Sequence, residues 1–426
     1  MLIQFQSLPG LPTRRDFLRI GSLAFAGVNL PRLLAADQTK REISCIVIFQ
    51  NGGASQLDTF DPKPDAQSDI RGSFRPIPTS VPGIHISELL PQSAKAMKKF
   101  SIIRSMHSNE AIHERARQYI FSGTKPRNEL MHPSYGAVVS NELGVKNGLP
   151  PFVVIPEKDV SSEAGFLGPS YDPFVAGDPN TRNYSVKNLT LPLGISLDQA
   201  RARMQLLAVL EGEFRRFENS ALLNSMDEFY QKAFDLISSP AANQAFNIGE
   251  EPEKLRDAYG RTPVGQGALL ARRLIEAGVR LATVFHAGYD THQKNEERSK
   301  TLIPEFDQAF TALLRDLEER GLLDSTLVLV IGDFGRTPKI NSSAGRDHWP
   351  RGFSVALAGA GIQGGRVIGR SDKVAGEPVD RPVSIEDLGA TVYKALKIDF
   401  SKNYHANGRP IAINKEGEPV KELFTS

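Results

Sequence analysis

Short apolar runs alternate with stretches of helical period along most of this chain. Residues 43–49, Ile-Ser-Cys-Ile-Val-Ile-Phe, are β-branched and apolar with no turn residue, and predict a buried strand. Residues 100–104 form a weaker run, and 151–155, 279–285, 326–331 and 353–358 repeat the pattern. Between them, residues 110–122, 132–143, 265–277 and 304–320 predict helices. Ser384, with Asp387 three residues on, caps a closing helix over 384–396. Residues 157–194 break the alternation, because Gly, Pro, Ser and Asn dominate there and predict a long irregular segment. Residues 196–238 are helical again, with Leu206, Leu207 and Leu210 at helical spacing. Strands alternating with helices predict an α/β fold, a mainly parallel sheet covered on both faces. One domain is expected over 37–426, with an irregular and then helical insertion at about 157–262.

In such sheets, ligands bind beyond the carboxyl ends of the strands. The polar residues of this chain fall there. Asn51-Gly52-Gly53 follows the first run and His107 follows 100–104. His286, Asp290 and His292 follow 279–285, and Asp333 and Arg336 follow 326–331. Four strands thus deliver titratable or amide groups to one edge.

Ahead of the domain, Thr13-Arg14-Arg15-Asp16-Phe17-Leu18-Arg19 precedes a mildly apolar run over 20–30. The order of these residues resembles a twin-arginine export signal. The run is too short and too rich in Gly and Ala to span a membrane. Residues 1–36 are therefore read as a signal segment, cleaved or kept as a tether, and the expected location is the periplasm or cell surface. Lys and Arg number 51 against 49 Asp and Glu, a net charge of +2, so nothing favours wrapping nucleic acid. The single cysteine, Cys45, excludes an internal disulfide and any zinc site built from several cysteines.

The candidate chemistry is concentrated in a few loops. His286-Ala-Gly-Tyr-Asp290-Thr-His292 gathers two imidazoles and a carboxylate that can turn towards one ion. Mixed His and Asp ligands suit zinc, manganese or iron better than calcium. Asp333, from the neighbouring strand, is the natural carboxylate partner. His348 is read as a further ligand, with Asp347 either a ligand or the group that orients an imidazole. Arg336 and Arg346 either clamp a tetrahedral oxyanion or pair with Asp333 and Asp347. Asn51-Gly52-Gly53 lets backbone N–H groups approach an anion. Asp58 and Asp61 are ligands or turn caps, and Ser55 is a nucleophile candidate without a visible base. His113 lies in the first turn of its helix, where free N–H groups attract anions, and Arg117 follows on the same face.

The segments Gly332-Asp333-Phe334-Gly335-Arg336-Thr337-Pro338, Gly345-Arg346-Asp347-His348-Trp349 and Tyr289-Asp290-Thr291-His292, together with the opening from Asn51 to Pro62, carry a resemblance. They resemble the exported bacterial domain-of-unknown-function family numbered fifteen hundred and one, over nearly all of the chain after the signal. That family is similar to the alkaline phosphatase and sulfatase superfamily. The resemblance implies a three-layer α/β/α sandwich with a metal site at the strand ends. It also implies cleavage of phosphate or sulfate esters by a nucleophile at a helix N-terminus. The stretch from His113 to Gly123-Thr124-Lys125-Pro126 resembles the sulfatase nucleophile helix, which puts His113 at the nucleophile position and Arg117 at that motif's arginine. Asn51 stands where the superfamily carries a metal-binding Asp, and Phe334 where many members carry His, so a second metal position is weakened or rebuilt.

The expected function is a metal-dependent hydrolase of phosphate or sulfate esters, on an anionic small molecule or an extracellular glycan. Zinc or manganese would be held by Asp290, His292, Asp333, His348 and His286. The anion would meet Arg336, Arg346 and Asn51, with His113 and Arg117 catalytic. The competing expectation is a non-catalytic envelope protein that binds glycans or a partner through a degenerate site.

Overall fold

A computed structural model describes residues 42–424, apart from 128–129, 187–193, 197, 204–205, 207–233, 235 and 407. The signal segment and most of the helix expected over 196–238 lie outside the described residues.

Eight strands form the central sheet: β1 (Ser44–Gln50), β2 (Phe100–Met106), β3 (Phe152–Ile155), β4 (Phe174–Val175), β5 (Leu281–His286), β6 (Thr326–Gly332), β7 (Phe353–Ala358) and β8 (Val367–Ile368). Their order is β8-β2-β7-β6-β1-β5-β3-β4. Every strand is parallel to the others except β7, which runs antiparallel between β6 and β2. The reason lies in the connection. Parallel neighbours need a crossover, usually a helix. Between β6 and β7 the chain instead makes a small antiparallel ribbon, Gly335–Arg336 against His348–Trp349, and returns in the opposite direction.

Side-chain alternation builds the two outer layers. Cys45, Val47 and Phe49 of β1 and Leu327, Leu329 and Ile331 of β6 pack into one core cluster. That face is covered by α1 (His113–Ser122), α2 (Tyr135–Leu143) and α5 (Ile385–Ala395). Ile46 and Ile48 of β1 and Val328 and Val330 of β6 face the other way, into a cluster with α3 (Pro263–Ala277) and α4 (Asn295–Glu319). The expected three-layer α/β/α sandwich is thus observed, built by a period of two in every central strand. Ser384 and Asp387 form a reciprocal capping box at the start of α5, as their spacing predicts.

Three element boundaries differ from expectation. α1 begins at His113 because Ile112 is still extended, so the residues before it form a linker rather than a first turn. Phe174–Val175 adds an edge strand inside the segment expected to be mostly irregular. α4 begins at Asn295 and carries Pro304 within it, where a proline was expected to open the helix. Pro304 is exposed, while Ile303, Phe306, Phe310, Leu313, Leu314 and Leu317 are buried on the opposite face. Burial of that face outweighs the missing backbone donor. Among the described residues, no helix is long and apolar enough to cross a membrane.

Replacing an exposed proline inside a helix restores a hydrogen bond and relieves a ring clash. Pro304→Ala should therefore raise stability, by up to about 3 kcal/mol, read as a higher denaturation midpoint at unchanged m-value.

Candidate functional site

The same alternation decides which groups reach the site. Asn51 continues the face of Phe49, and Asp333 continues that of Ile331, so both arrive on the α1 side of the sheet edge. His286 continues the face of Val284 and arrives on the α3–α4 side.

Gly52 and Gly53 lead the chain out of β1 with φ of 106° and 84°. A Cβ at Gly52 would collide with the backbone of Asp290, and one at Gly53 with the carbonyl of Phe334. Three loops therefore meet backbone to backbone, and glycine is required for that approach. The wholly buried guanidinium of Arg336 joins them. It donates to Gly53 O at 3.1 Å, to Arg346 O at 3.1 Å, to Gly52 O, and to Asp290 Oδ1 at 2.6 Å.

Three imidazoles surround Asp290. His113 Nδ1 contacts Asp333 Oδ2, and His292 Nδ1 lies 2.6 Å from Asp347 Oδ1. His348 Nδ1 lies 2.8 Å from the carbonyl of Ala111. Each of these partners is an acceptor, which assigns the proton to Nδ1 and leaves the lone pair on Nε2 of the neutral ring. The three Nε2 atoms then converge, at 3.5 Å (His113), 3.1 Å (His292) and 3.3 Å (His348) from Asp290 Oδ1. The Nε2 atoms of His292 and His348 are 2.9 Å apart. His113 Nε2 is buried without a hydrogen-bond partner. His113, Asp290 and His348 offer ligand atoms that all lie within 4.8 Å of one another. Bare nitrogens facing one another around a carboxylate oxygen are the donor set of a divalent cation, and the residues present fit one.

The surrounding charges set the protonation of this set. Partial burial pushes the Asp290 carboxyl up, but the hydrogen bond and charge of Arg336, with His113 and His292 beside it, hold it at about 2. The hydrogen bond to Asp333 raises the His113 ring above its usual value. Burial lowers His348, and the hydrogen bond from His292 lowers Asp347. Phe334, 1% exposed, walls off the inner side, with its ring centroid 4.9 Å from that of His113 and 4.6 Å from that of His348.

The structure redistributes several expected roles. His113 opens α1 as expected, but its free nitrogen joins the cluster rather than standing apart as a nucleophile. Asp333 lies behind the His113 ring, fully buried, and also accepts from Gly52 N at 3.4 Å. Asp347 orients His292, and Asn341 steadies it. His286 does not reach the cluster: it packs edge-on against Tyr289, 3.2 Å from its hydroxyl, with Nε2 3.7 Å from Glu305. For Arg346 the structure shows the ion-pair alternative. It is fully buried against Asp58 at 3.0 Å, and also donates to Ile70 O, Thr337 O and Pro338 O. Arg336 is likewise consumed by the loops it joins. Asp58 further accepts from Asn295 at 2.8 Å, and Ser55 is buried, its hydroxyl accepting from the backbone N of Asp58. Of the expected anion-binding groups, Asn51 remains, and its Oδ1 accepts from Arg117 Nη1 at 2.9 Å. Arg117 Nε lies 3.6 Å from Asp159. The Ala111 carbonyl was invisible in the sequence, since a backbone acceptor carries no residue signal.

The profile of a family described as "Protein of unknown function (DUF1501)" matches residues 42–424, and the chain belongs to that family. Comparison with curated proteins finds no match. Similar solved structures include a sulfatase, PsFucS1, from Pseudoalteromonas sp., at 12% identity and a TM-score of 0.39, covering 89% of this chain and 72% of that one. An alkaline phosphatase from the Antarctic bacterium TAB5 aligns at 13% identity and a TM-score of 0.39, over 84% of this chain and 99% of its own. A protein in the alkaline phosphatase superfamily from Vibrio parahaemolyticus aligns at 11% identity and a TM-score of 0.37, over 84% and 67%.

Three outcomes follow from this geometry. Arg346→Met leaves Asp58 buried and unpaired, so unfolding in denaturant should show a loss of about 3–5 kcal/mol; a surface anion-binding arginine would leave stability unchanged. A cation must also displace the second proton, on Nε2, that the charge of Asp333 helps the His113 ring to retain. Zinc affinity measured by calorimetry should therefore be about tenfold weaker at pH 6 than at pH 8. In metal-free protein the sign reverses. The raised His113 ring adds stability below its ordinary pKa, and that stability is lost as pH rises through the raised value.

Proposed function

We propose that this member of the DUF1501 family is an exported, metal-dependent hydrolase of phosphate or sulfate esters. One observation carries the reading: three imidazoles, each tied at Nδ1 by its own acceptor, turn bare Nε2 atoms onto one oxygen of Asp290. His113, Asp290, His292 and His348 would hold the ion, and mixed nitrogen and oxygen donors suit zinc or manganese. When bound, a divalent cation supplies Lewis acidity that polarises an ester oxygen and activates water.

The chain's own residues do the rest. Asp333, Asp347 and the Ala111 carbonyl hold the rings in register, so the donor set is preorganised. Arg117 presents a guanidinium beside Asn51, one helical turn from His113, where it can pair an anionic ester oxygen. No side chain caps the N-terminus of α1, which leaves its dipole to favour an anion. Phe334 keeps water off the inner side. With His113 held as a ligand, the attacking group would be water rather than the imidazole. Asp290 and His292 are 48% and 42% exposed, which suits an ester on a large substrate such as a glycan. The arginine pair Arg14–Arg15 supports export by the twin-arginine route to the periplasm or cell surface, with membrane contact only through an uncleaved signal.

A non-catalytic reading draws on two of the same residues. Asn51 is engaged by Arg117, and the ring of Phe334 fills space beside the imidazoles. Both features reduce the room for a second cation.

Elemental analysis of protein purified without added metal should find about one zinc or manganese per chain. Chelation should abolish cleavage of p-nitrophenyl phosphate or sulfate. Asp347→Ala should lower metal affinity or activity by about 10–100-fold, because it frees the His292 ring. A metal-loaded protein that cleaves no phosphate or sulfate ester would favour the binding reading. A protein that neither holds metal nor loses activity in Asp290→Ala would overturn the metal-dependent hydrolase.

A further inference from the structure

A cavity of about 380 Å³ lies beside the cluster, outside the residues assigned above. One wall is the exit from β2, His107, Ser108 and Asn109. Arg351 and Glu377 form a second wall, and Pro378 and Pro382 complete the lining. Two chain segments tie this cavity to the imidazoles. Asn109 is two residues before Ala111, whose carbonyl fixes His348. Its Cα therefore lies within about 7.6 Å of that of Ala111. Arg351 is three residues after His348, and Ser108 N donates to Pro350 O at 2.8 Å, which clamps the two walls together.

The lining chemistry is mixed and close to neutral. Arg351 pairs with Glu377 at 3.0 Å and lies over the ring of Trp349, 5.6 Å from its centroid. Trp349 in turn donates to Gly376 O at 2.6 Å, which fixes the wall that carries Glu377. His107 and Asn109 make no side-chain hydrogen bond within the described residues, so donors and acceptors remain available. A cavity without a net charge does not select an anion, and one lined mostly by polar groups does not select an apolar alcohol. Neutral polyhydroxylated rings match it: hydroxyl groups meet the imidazole, amide, carboxylate and guanidinium, while the flat proline rings face the C–H surface. The volume is at the small end of ligand sites, roughly 300–1,000 Å³, and suits a mono- or disaccharide.

We propose that this cavity is the subsite for the alcohol part of the ester, and that this part is a neutral sugar. The proposal rests on the ester-hydrolase reading for its place in turnover. Its binding half stands apart, because no cluster residue lines the cavity. Ligand-observed NMR of the full metal-loaded protein with free cellobiose, lactose and maltose, and with n-octanol as the apolar control, reads that half directly. At least one disaccharide should bind and n-octanol should not. Asn109→Ala and Arg351→Ala should each weaken the bound sugar by about tenfold, and Asp290→Ala should leave it in place. In turnover, the same two variants should raise KM about tenfold for a phosphate or sulfate ester of the bound sugar, with kcat and p-nitrophenyl ester hydrolysis unchanged. Sugar binding lost in Asn109→Ala but accompanied by no hydrolysis of any ester would reject the hydrolase and keep the subsite. Absence of binding by every sugar, or binding equal in wild type and both variants, would overturn the subsite.

Discussion

The site depends on one ion pair, the buried guanidinium of Arg336 with the half-exposed carboxylate of Asp290. A guanidinium at 0% exposure is costly unless its donors and its charge are both met. Here Gly52 O, Gly53 O and Arg346 O take its donors, and Asp290 takes both a donor and the charge. Those acceptors come from the loops after β1, β5 and β6. Satisfying Arg336 therefore forces the three loops together. It also explains the glycines, since any side chain at Gly52 or Gly53 would separate the carbonyls from the guanidinium. Asp290 Oδ1, once drawn onto Arg336, becomes the fixed point around which His113, His292 and His348 are arranged.

The imidazoles do not owe their orientation to that oxygen. Each is held from behind by an acceptor on a different segment: Asp333 at the end of β6, Asp347 in the ribbon, and Ala111 ahead of α1. Three independent anchors fix three rings, so the convergence of their free nitrogens is a property of the fold. Such anchoring is what lets a donor set meet a cation without reorganising. It also separates the carboxylates by task. Asp333 and Asp347 spend their charge on Nδ1–H groups, while Asp290 keeps an oxygen facing the cluster.

Much of this was legible in the sequence. The apolar runs located the central strands, and the residues just beyond them located the site. Asp290, His292, Asp333 and His348 all meet there. What the residue list did not carry was direction. His286 is a metal-ligand type at the very end of β5, yet strand alternation sends it to the α3–α4 side, where Tyr289 and Glu305 receive it. The parity of β5 was readable, since Ala282 and Val284 share its face, and it would have excluded His286. The arginines were open to two readings, oxyanion clamp or ion pair. Arg336 and Arg346 have the chemistry of oxyanion clamps, but burial assigns their donors to backbone carbonyls, and burial depends on loop packing that no local pattern reveals. Asp58, the partner of Arg346, is 288 residues away.

The departures at Asn51 and Phe334 act together. A carboxylate at position 51 would add a negative charge near Asp333 and Asp290 and would call for a further cation. The amide removes that charge and gives Arg117 a neutral acceptor at 2.9 Å. Phe334 fills space with a ring packed on His113 and His348. On the Asn51 side of the cluster, fixed positive charge then comes from a guanidinium. A guanidinium supplies directional donors to a tetrahedral oxyanion but little Lewis acidity. Under the proposed hydrolase reading the division would be one of labour: anion recognition would fall to Arg117 and the start of α1, and polarisation to a single ion held by Asp290 and the three histidines. A site built this way would bind its anion through protein groups whether or not the ion is present.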